Sequence, residues 1–176
     1  MIILKTLSQI SDEQSKDVEN IFFESSSKTS FKNDDEKNKF KFKYLSYYIE
    51  NYPDLFIVGM IDKKAVGYIC GSPNSYKDKF LLDSLFYFDL FKDEYLKYPA
   101  HLHINLSESS RGLGLGSILI KEFESKISST SCGVHLITSP TARNRGFYLK
   151  NEYHHEIIKT YNKTEILLMG KELSIR

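Results

Sequence analysis

The stretch from His101 to Phe123, "HLHINLSESSRGLGLGSILIKEF", constrains the fold more than any other part of the chain. Two histidines alternate with apolar residues, a polar turn follows, three glycines alternate, and a run with helical periodicity opens at Gly116. A strand that enters a glycine turn and leaves it as a helix exposes backbone N–H groups at the positive end of the helix dipole. That arrangement suits a phosphate or a pyrophosphate. Two phosphate-binding turns are excluded by residue type and spacing. A Walker loop needs Gly-Lys-Ser/Thr at the helix start, whereas Gly116 is followed here by Ser117 and Ile118. A dinucleotide fingerprint needs G-x-G-x-x-G and a later acidic residue; Gly112, Gly114 and Gly116 have another spacing, and "SCGVHLI" stands where the acid would be.

The rest of the chain reads as mixed α/β. "MIILKTL" has the pattern of a strand, and Ser11 with Gln14 has the spacing of a capping box before Val18, Ile21 and Phe22. Residues 31–52 read as a helix or helix pair with an aromatic face, stopped by Pro53. "DLFIVGMI" and "AVGYICG" read as a hairpin around Asp62, Lys63 and Lys64. Residues 72–99 carry apolar side chains at helical spacing in an aromatic-rich setting. They are expected to form a helical insertion partly over a cleft, and its aromatic stretch from Tyr76 to Phe91 suits either a lid over a substrate or a surface that buries a partner. "AHLHINL", a helix from Gly116 to Ile127, "GVHLITS", a short helix from Asn144 to Lys150, and the strands "YHHEIIKTY" and "TEILLMGKEL" complete the order.

Composition narrows the function. The 176 residues suffice for one ordinary core, so residues 1–176 read as one domain. A net charge of +1 gives no electrostatic ground for nucleic acid or an anionic membrane as partner. No apolar run approaches the roughly 20 residues of a membrane span, and the first ten residues do not form a secretory signal. The expectation is a soluble, cytoplasmic protein. Cys70 and Cys132 lack metal-ligand spacing and are expected to be reduced and buried. His154 and His155 point to opposite faces of a strand, so no metal is expected.

Arg111-x-x-Gly114-x-Gly116 resembles the Arg/Gln-x-x-Gly-x-Gly/Ala signature of the GCN5-related N-acetyltransferases (GNAT). "NRGFYLKNEY", Asn144 to Tyr153, is similar to the family's "FY-x-K-x-GF" segment, with Tyr148 at its tyrosine position. Glu152 stands in place of the glycine and Tyr153 in place of the phenylalanine. Thr141 replaces the family's asparagine, for which Asn144 can substitute. "VGYICGSPNS", the insertion, "YPAHLHINL" and "GVHLITSP" resemble a bacterial subgroup similar to the acetyltransferase-like domain of eukaryotic O-GlcNAc hydrolases, over residues 55–153.

The resemblance implies a single-domain GNAT fold: a mixed, mostly antiparallel central sheet flanked by helices, with a helical insertion between strands three and four. It implies acetyl-coenzyme A as cosubstrate, a small-molecule or protein amine as acceptor, and direct attack on the thioester. The implied cofactor-binding residues are Ile104 and Leu106 for the pantetheine arm, Arg111, Gly112, Leu113, Gly114, Leu115, Gly116 and Ser117 for the pyrophosphate, and Asn144. Tyr148 is the candidate acid, since a phenol stays protonated at pH 7 and can donate to sulfur. His101 and His103, on one face of their strand, are the candidate bases. Aralkylamine acetyltransferases carry a similar His-x-His, offset along the strand, implicated in relaying the amine proton. The competing reading is a module of the same fold that retains coenzyme A or a peptide without turnover. A homodimer through the insertion or the terminal strands is compatible with either.

Overall fold

The computed structural model describes residues 1–174. It forms an α/β fold whose seven-stranded, mostly antiparallel sheet has the order β1-β2-β3-β4-β5-β7-β6. The chain resolves into two compact units: Met1–Gly71 with His103–Phe123, and Ser72–Leu102 with the chain from Glu124 onward. Strand β4 (Ala100–Leu106) and helix α6 (Leu115–Ile127) each contribute residues to both.

In the first unit, β1 (Ile2–Thr6) pairs antiparallel with β2 (Ile57–Ile61), which pairs antiparallel with β3 (Lys64–Ser72). The hairpin loop is two residues, not the expected three. Asp62 (φ 49°) and Lys63 (φ 68°) make the turn, and Lys64 already pairs with Ile61. Helix α1 (Asp12–Ser25) starts where the capping box places it, and it buries Val18, Ile21 and Phe22. Gln14 Nε2 donates to the Lys63 carbonyl at 2.8 Å, and the Ala65 amide donates to Asp17 at 3.2 Å, so one helix face is tied to the hairpin. The aromatic run forms α2 (Asp34–Lys41), a wide π-helical turn over Phe42–Ser46, and α3 (Tyr47–Asn51). Tyr52 caps it and Pro53 opens a 3-10 turn.

In the second unit, β5 (Gly133–Thr138) pairs antiparallel with β7 (Thr164–Glu172), and β7 with β6 (His155–Tyr161). Strands β4 and β5 run parallel over two residue pairs only, Ala100↔Val134 and His101↔His135. The segment expected as a helical insertion forms two short helices, α4 (Lys79–Ser84) and α5 (Tyr87–Leu90), flanked by 3-10 turns and separated at Leu85, whose backbone is extended. Its aromatic side chains are mostly core. Tyr87, Phe88, Phe91, Tyr95 and Tyr98 are buried, and only Tyr76 and Phe86 of the group are exposed. Phe88 packs against Tyr95 and against the rings of His101 and His135. Cys70 is buried as expected, but Cys132 is exposed. It lies at the foot of β5, with Sγ 3.7 Å from the Leu96 carbonyl and 3.6 Å from that of Lys97.

Candidate active site

The glycine turn is held from both sides. Beyond Leu106, the Ser107 amide donates to the Val66 carbonyl at 2.9 Å, and Ser110 Oγ lies 2.8 Å from the same carbonyl. A 3-10 turn over Glu108–Ser110 then delivers Arg111, which is exposed together with Gly112, Leu113 and Gly114. Gly112 (φ 81°) and Gly114 (φ 82°) both adopt the left-handed conformation that glycine enters at least cost. Helix α6 begins at Leu115, and its first intrahelical bond runs from the Ile118 amide to the Gly114 carbonyl at 3.2 Å. The amides of Leu115, Gly116 and Ser117 therefore precede that bond, as in any helix start. The first turn of α6 contains no acidic residue, so the positive end of its dipole is not offset from within.

What seats this helix was not evident from the motif. Gly59 and Gly67 are cross-strand partners in the β2–β3 hairpin, and together they leave a depression that receives Leu115. A Cβ on Gly59 would lie 2.5 Å from Leu115 Cδ1, and one on Gly67 3.3 Å from Leu115 Cδ2. Leu115 itself is fully buried. A side-chain packing contact thus fixes the first residue of the helix. The available signal was a glycine in the middle of each strand, which marks a close approach.

Strand β4 carries the other candidates of this region. Ile104 and Leu106 are half-buried, and between them Asn105 Nδ2 donates to Tyr68 Oη at 2.7 Å. Both residues lie beyond the two-pair ladder that joins β4 to β5. The Arg111 guanidinium reaches back to the Leu106 carbonyl at 3.5 Å.

The two histidines of β4 have different surroundings. His101 is buried in the second unit, where its Nδ1 lies 2.6 Å from Ser75 Oγ and its ring adjoins those of Phe88 and His135. His135 is also buried and donates from Nδ1 to the Tyr98 carbonyl at 2.7 Å. His103, in the first unit, is half-buried and shares a 3.0 Å hydrogen bond between Nε2 and Tyr48 Oη. Burial pushes the His103 imidazole down to about 4, which keeps it neutral at pH 7.

In the second unit, Asn144 stands at the start of helix α7 (Arg145–Lys150), its side chain making no capping bond to the helix. Asn144 Nδ2 donates to Tyr148 Oη at 3.5 Å, and its Oδ1 accepts from Thr138 Oγ1 at 3.3 Å. Tyr148 is buried, and burial pushes its phenol up to about 12. It is therefore a proton donor throughout the neutral range. Arg145 is engaged by Glu156 in a bidentate pair, both contacts 2.6 Å, whereas Arg143 is exposed. Glu152 adopts φ 72°, the left-handed conformation for which a glycine would be favoured. It pairs with Lys171 at 3.2 Å. Lys171 also holds Glu124 at 2.8 Å, and Glu124 accepts from Tyr153 Oη at 2.9 Å. His155 lies 3.1 Å from Glu94, and His154 is exposed. Among the described residues, no group of three His, Cys, Asp or Glu side chains could hold a metal ion, and no helix is long and apolar enough to cross a membrane.

Residues 16–153 match the model of the acetyltransferase (GNAT) family. No curated protein matches the chain. Among solved structures, SsHAT superposes with a TM-score of 0.74 at 19% identity, covering 97% of this chain and 98% of its own. The phosphinothricin acetyltransferase (Pat) of Sinorhizobium meliloti, in complex with AcCoA, gives 0.60 at 13% identity over 98% and 89%. The NatC complex bound to Gag peptide and CoA gives 0.63 at 13% identity over 98% and 99%.

Proposed function

The chain belongs to the acetyltransferase (GNAT) family, and on that premise we propose that it transfers the acetyl group of acetyl-coenzyme A to a primary amine of a small molecule or a protein. The observation that carries this reading is the turn from Arg111 to Ser117. Its two left-handed glycines open a thirteen-residue helix whose first turn holds no acid. We assign the pyrophosphate to the turn from Gly112 to Ser117, through the amides of Gly112, Gly114, Leu115, Gly116 and Ser117, with Arg111 and Leu113, whose own amide donates to the Ser110 carbonyl at 3.4 Å, beside them. The pantetheine arm is assigned to the β4 backbone at Ile104 and Leu106, beyond the ladder with β5. Asn144, through its contact with Tyr148, is assigned an orienting part in cofactor binding.

The chemistry asks for three things: a neutral amine, a polarised thioester carbonyl, and a proton for the departing thiolate. The amine nitrogen attacks the acetyl carbon, the C–S bond breaks, and the sulfur takes a proton from Tyr148. The amine proton passes to a base, for which His103 and His101 are the candidates. His103 is neutral at pH 7 and so able to take up a proton, but the burial that lowers it to about 4 also makes it a weak base; the burial of His101 beside Ser75 supports an indirect part for that residue. No covalent enzyme intermediate is needed, so positioning supplies most of the acceleration.

Kinship with the bacterial subgroup similar to the acetyltransferase-like domain of O-GlcNAc hydrolases belongs to the same proposal, supported by the motifs quoted above. So does a cytoplasmic location, where acetyl-coenzyme A is at hand. Homodimerisation remains compatible with it. The test is release of coenzyme A from acetyl-coenzyme A in the presence of a panel of primary amines. We expect amine-dependent release that falls about 10²-fold in kcat in Tyr148→Phe with cofactor affinity kept. Because burial holds the phenol near 12, no alkaline loss from Tyr148 is expected below about pH 10. Saturable cofactor binding without release to any amine would favour the module that retains coenzyme A.

A further inference from the structure

Two phenols of the helical run 34–51 converge on one imidazole. Tyr48 Oη lies 3.0 Å from His103 Nε2, with the rings 5.2 Å apart at 65°. Tyr44 meets the same imidazole edge-on, at 6.3 Å and 85°. Tyr48 has no exposed surface, whereas Tyr44 and His103 are half-buried. A fully buried phenol requires a partner for its hydroxyl, because leaving that group unsatisfied costs about 1–3 kcal/mol. Here a partner is a side chain that can itself carry a proton.

The backbone beneath this contact is also irregular. The π-helical turn Phe42–Ser46 contains Tyr44 and ends just before α3, whose second residue is Tyr48. Such turns are rare and recur at functional sites. The hydrogen bond joins residues 55 positions apart and ties this helical run to the strand that carries the candidate base.

We propose that Tyr48 is a positioning residue for His103, fixing the rotamer and tautomer of the imidazole that takes the amine proton during acetyl transfer. This rests on the acetyltransferase reading above. A neutral imidazole has one donor nitrogen and one acceptor nitrogen, and because the Tyr48 hydroxyl can donate or accept, Nδ1 is the acceptor only in the tautomer whose Nε2–H donates to Tyr48 Oη. Burial keeps the His103 ring neutral at pH 7. A fixed tautomer then gives the transferred proton a defined destination. In the step itself, the amine N–C bond forms, the C–S bond breaks, His103 takes the amine proton and Tyr148 protonates the thiolate.

A double-mutant cycle on coenzyme A release tests this, using acetyl-coenzyme A with ethanolamine, tyramine, spermidine and a peptide with a free amino terminus. Tyr48→Phe keeps the ring and removes only the hydroxyl. We expect it to lower kcat about 10-fold with KM for acetyl-coenzyme A unchanged, and His103→Gln to lower kcat about 10²-fold. The double variant should be no slower than His103→Gln alone, the mark of two residues acting as one. Imidazole ¹⁵N shifts supply a readout independent of turnover: one tautomer for His103 in the unchanged protein, and a mixture in Tyr48→Phe. Fully additive losses, turnover indifferent to either change, or a tautomer mixture already present in the unchanged protein would overturn the proposal. No amine-dependent release by the unchanged protein would overturn the acetyltransferase reading, and the proposal with it.

Discussion

Two turns in this protein enter the left-handed region at positions marked by sequence motifs, and they are built from opposite materials. At Gly112 and Gly114 the residues are glycines, and a Cβ at either position would meet no atom of the chain within 4 Å. Packing does not demand glycine there; the φ values of 81° and 82° do, and open space lies beyond them. At Glu152 the same conformation, φ 72°, is carried by a glutamate where the family's motif has glycine. That side chain is exposed, but its carboxylate pairs with Lys171, which in turn serves the buried Glu124 and, through it, Tyr153. A left-handed residue costs about 1–2 kcal/mol when it is not glycine. At Glu152 the chain accepts that cost and the side chain gains a pairing with Lys171; at Gly112 and Gly114 it avoids the cost, and the backbone there is exposed.

The comparison can be broken at either turn. The largest effect is expected from Gly114→Val, which puts a β-branched side chain at φ 82° in front of the amides of α6. Acetyl-coenzyme A affinity should fall by about 100-fold or more, read by calorimetry, while thermal unfolding stays cooperative. Lys171→Met should come next. It leaves the largely buried Glu124 without its cation and should destabilise the fold by about 2–3 kcal/mol, measured by denaturant unfolding. Gly112→Ala should cost about 1 kcal/mol in the same measurement, from backbone strain alone, because its methyl group meets nothing. The smallest effect sharpens the contrast most. Glu152→Gly should stabilise the protein by about 0.5–1 kcal/mol, since relief of strain outweighs loss of a pair whose carboxylate is 73% exposed. A destabilisation there would show that the Glu152–Lys171 pair matters more than the backbone conformation.

Much of this was legible because it is local. Ser11 and Gln14 cap α1 across three residues, and Asp62-Lys63 closes a hairpin between two β-rich runs. Arg111-x-x-Gly114-x-Gly116 lies within six residues, so its strand, turn and helix could be read together. The departure at Glu152 was also visible, though not what compensates it, because Lys171 belongs to another strand. Features that depend on distant partners were not readable. Leu115 is seated by glycines more than forty residues away, and Tyr48 reaches His103 across 55 positions. The aromatic segment from Tyr76 to Phe91 shows the limit of periodicity. Apolar spacing says that side chains are covered, not by what, and three of the segment's six rings, Tyr87, Phe88 and Phe91, are buried in their own unit while Tyr76 and Phe86 are exposed. Cys132 departs from its expected burial for a related reason. Cysteine is usually buried, but this one occupies the foot of a strand, where the chain has just left α6.

The central claim is that the Arg111–Ser117 turn holds acetyl-coenzyme A. The most direct measurement is calorimetric titration of the unchanged protein with acetyl-coenzyme A, beside a Gly114→Trp variant that fills the turn. The account predicts saturable binding with one cofactor per chain, abolished in the variant. Heat that never saturates in the unchanged protein, or equal binding by the variant, would contradict it.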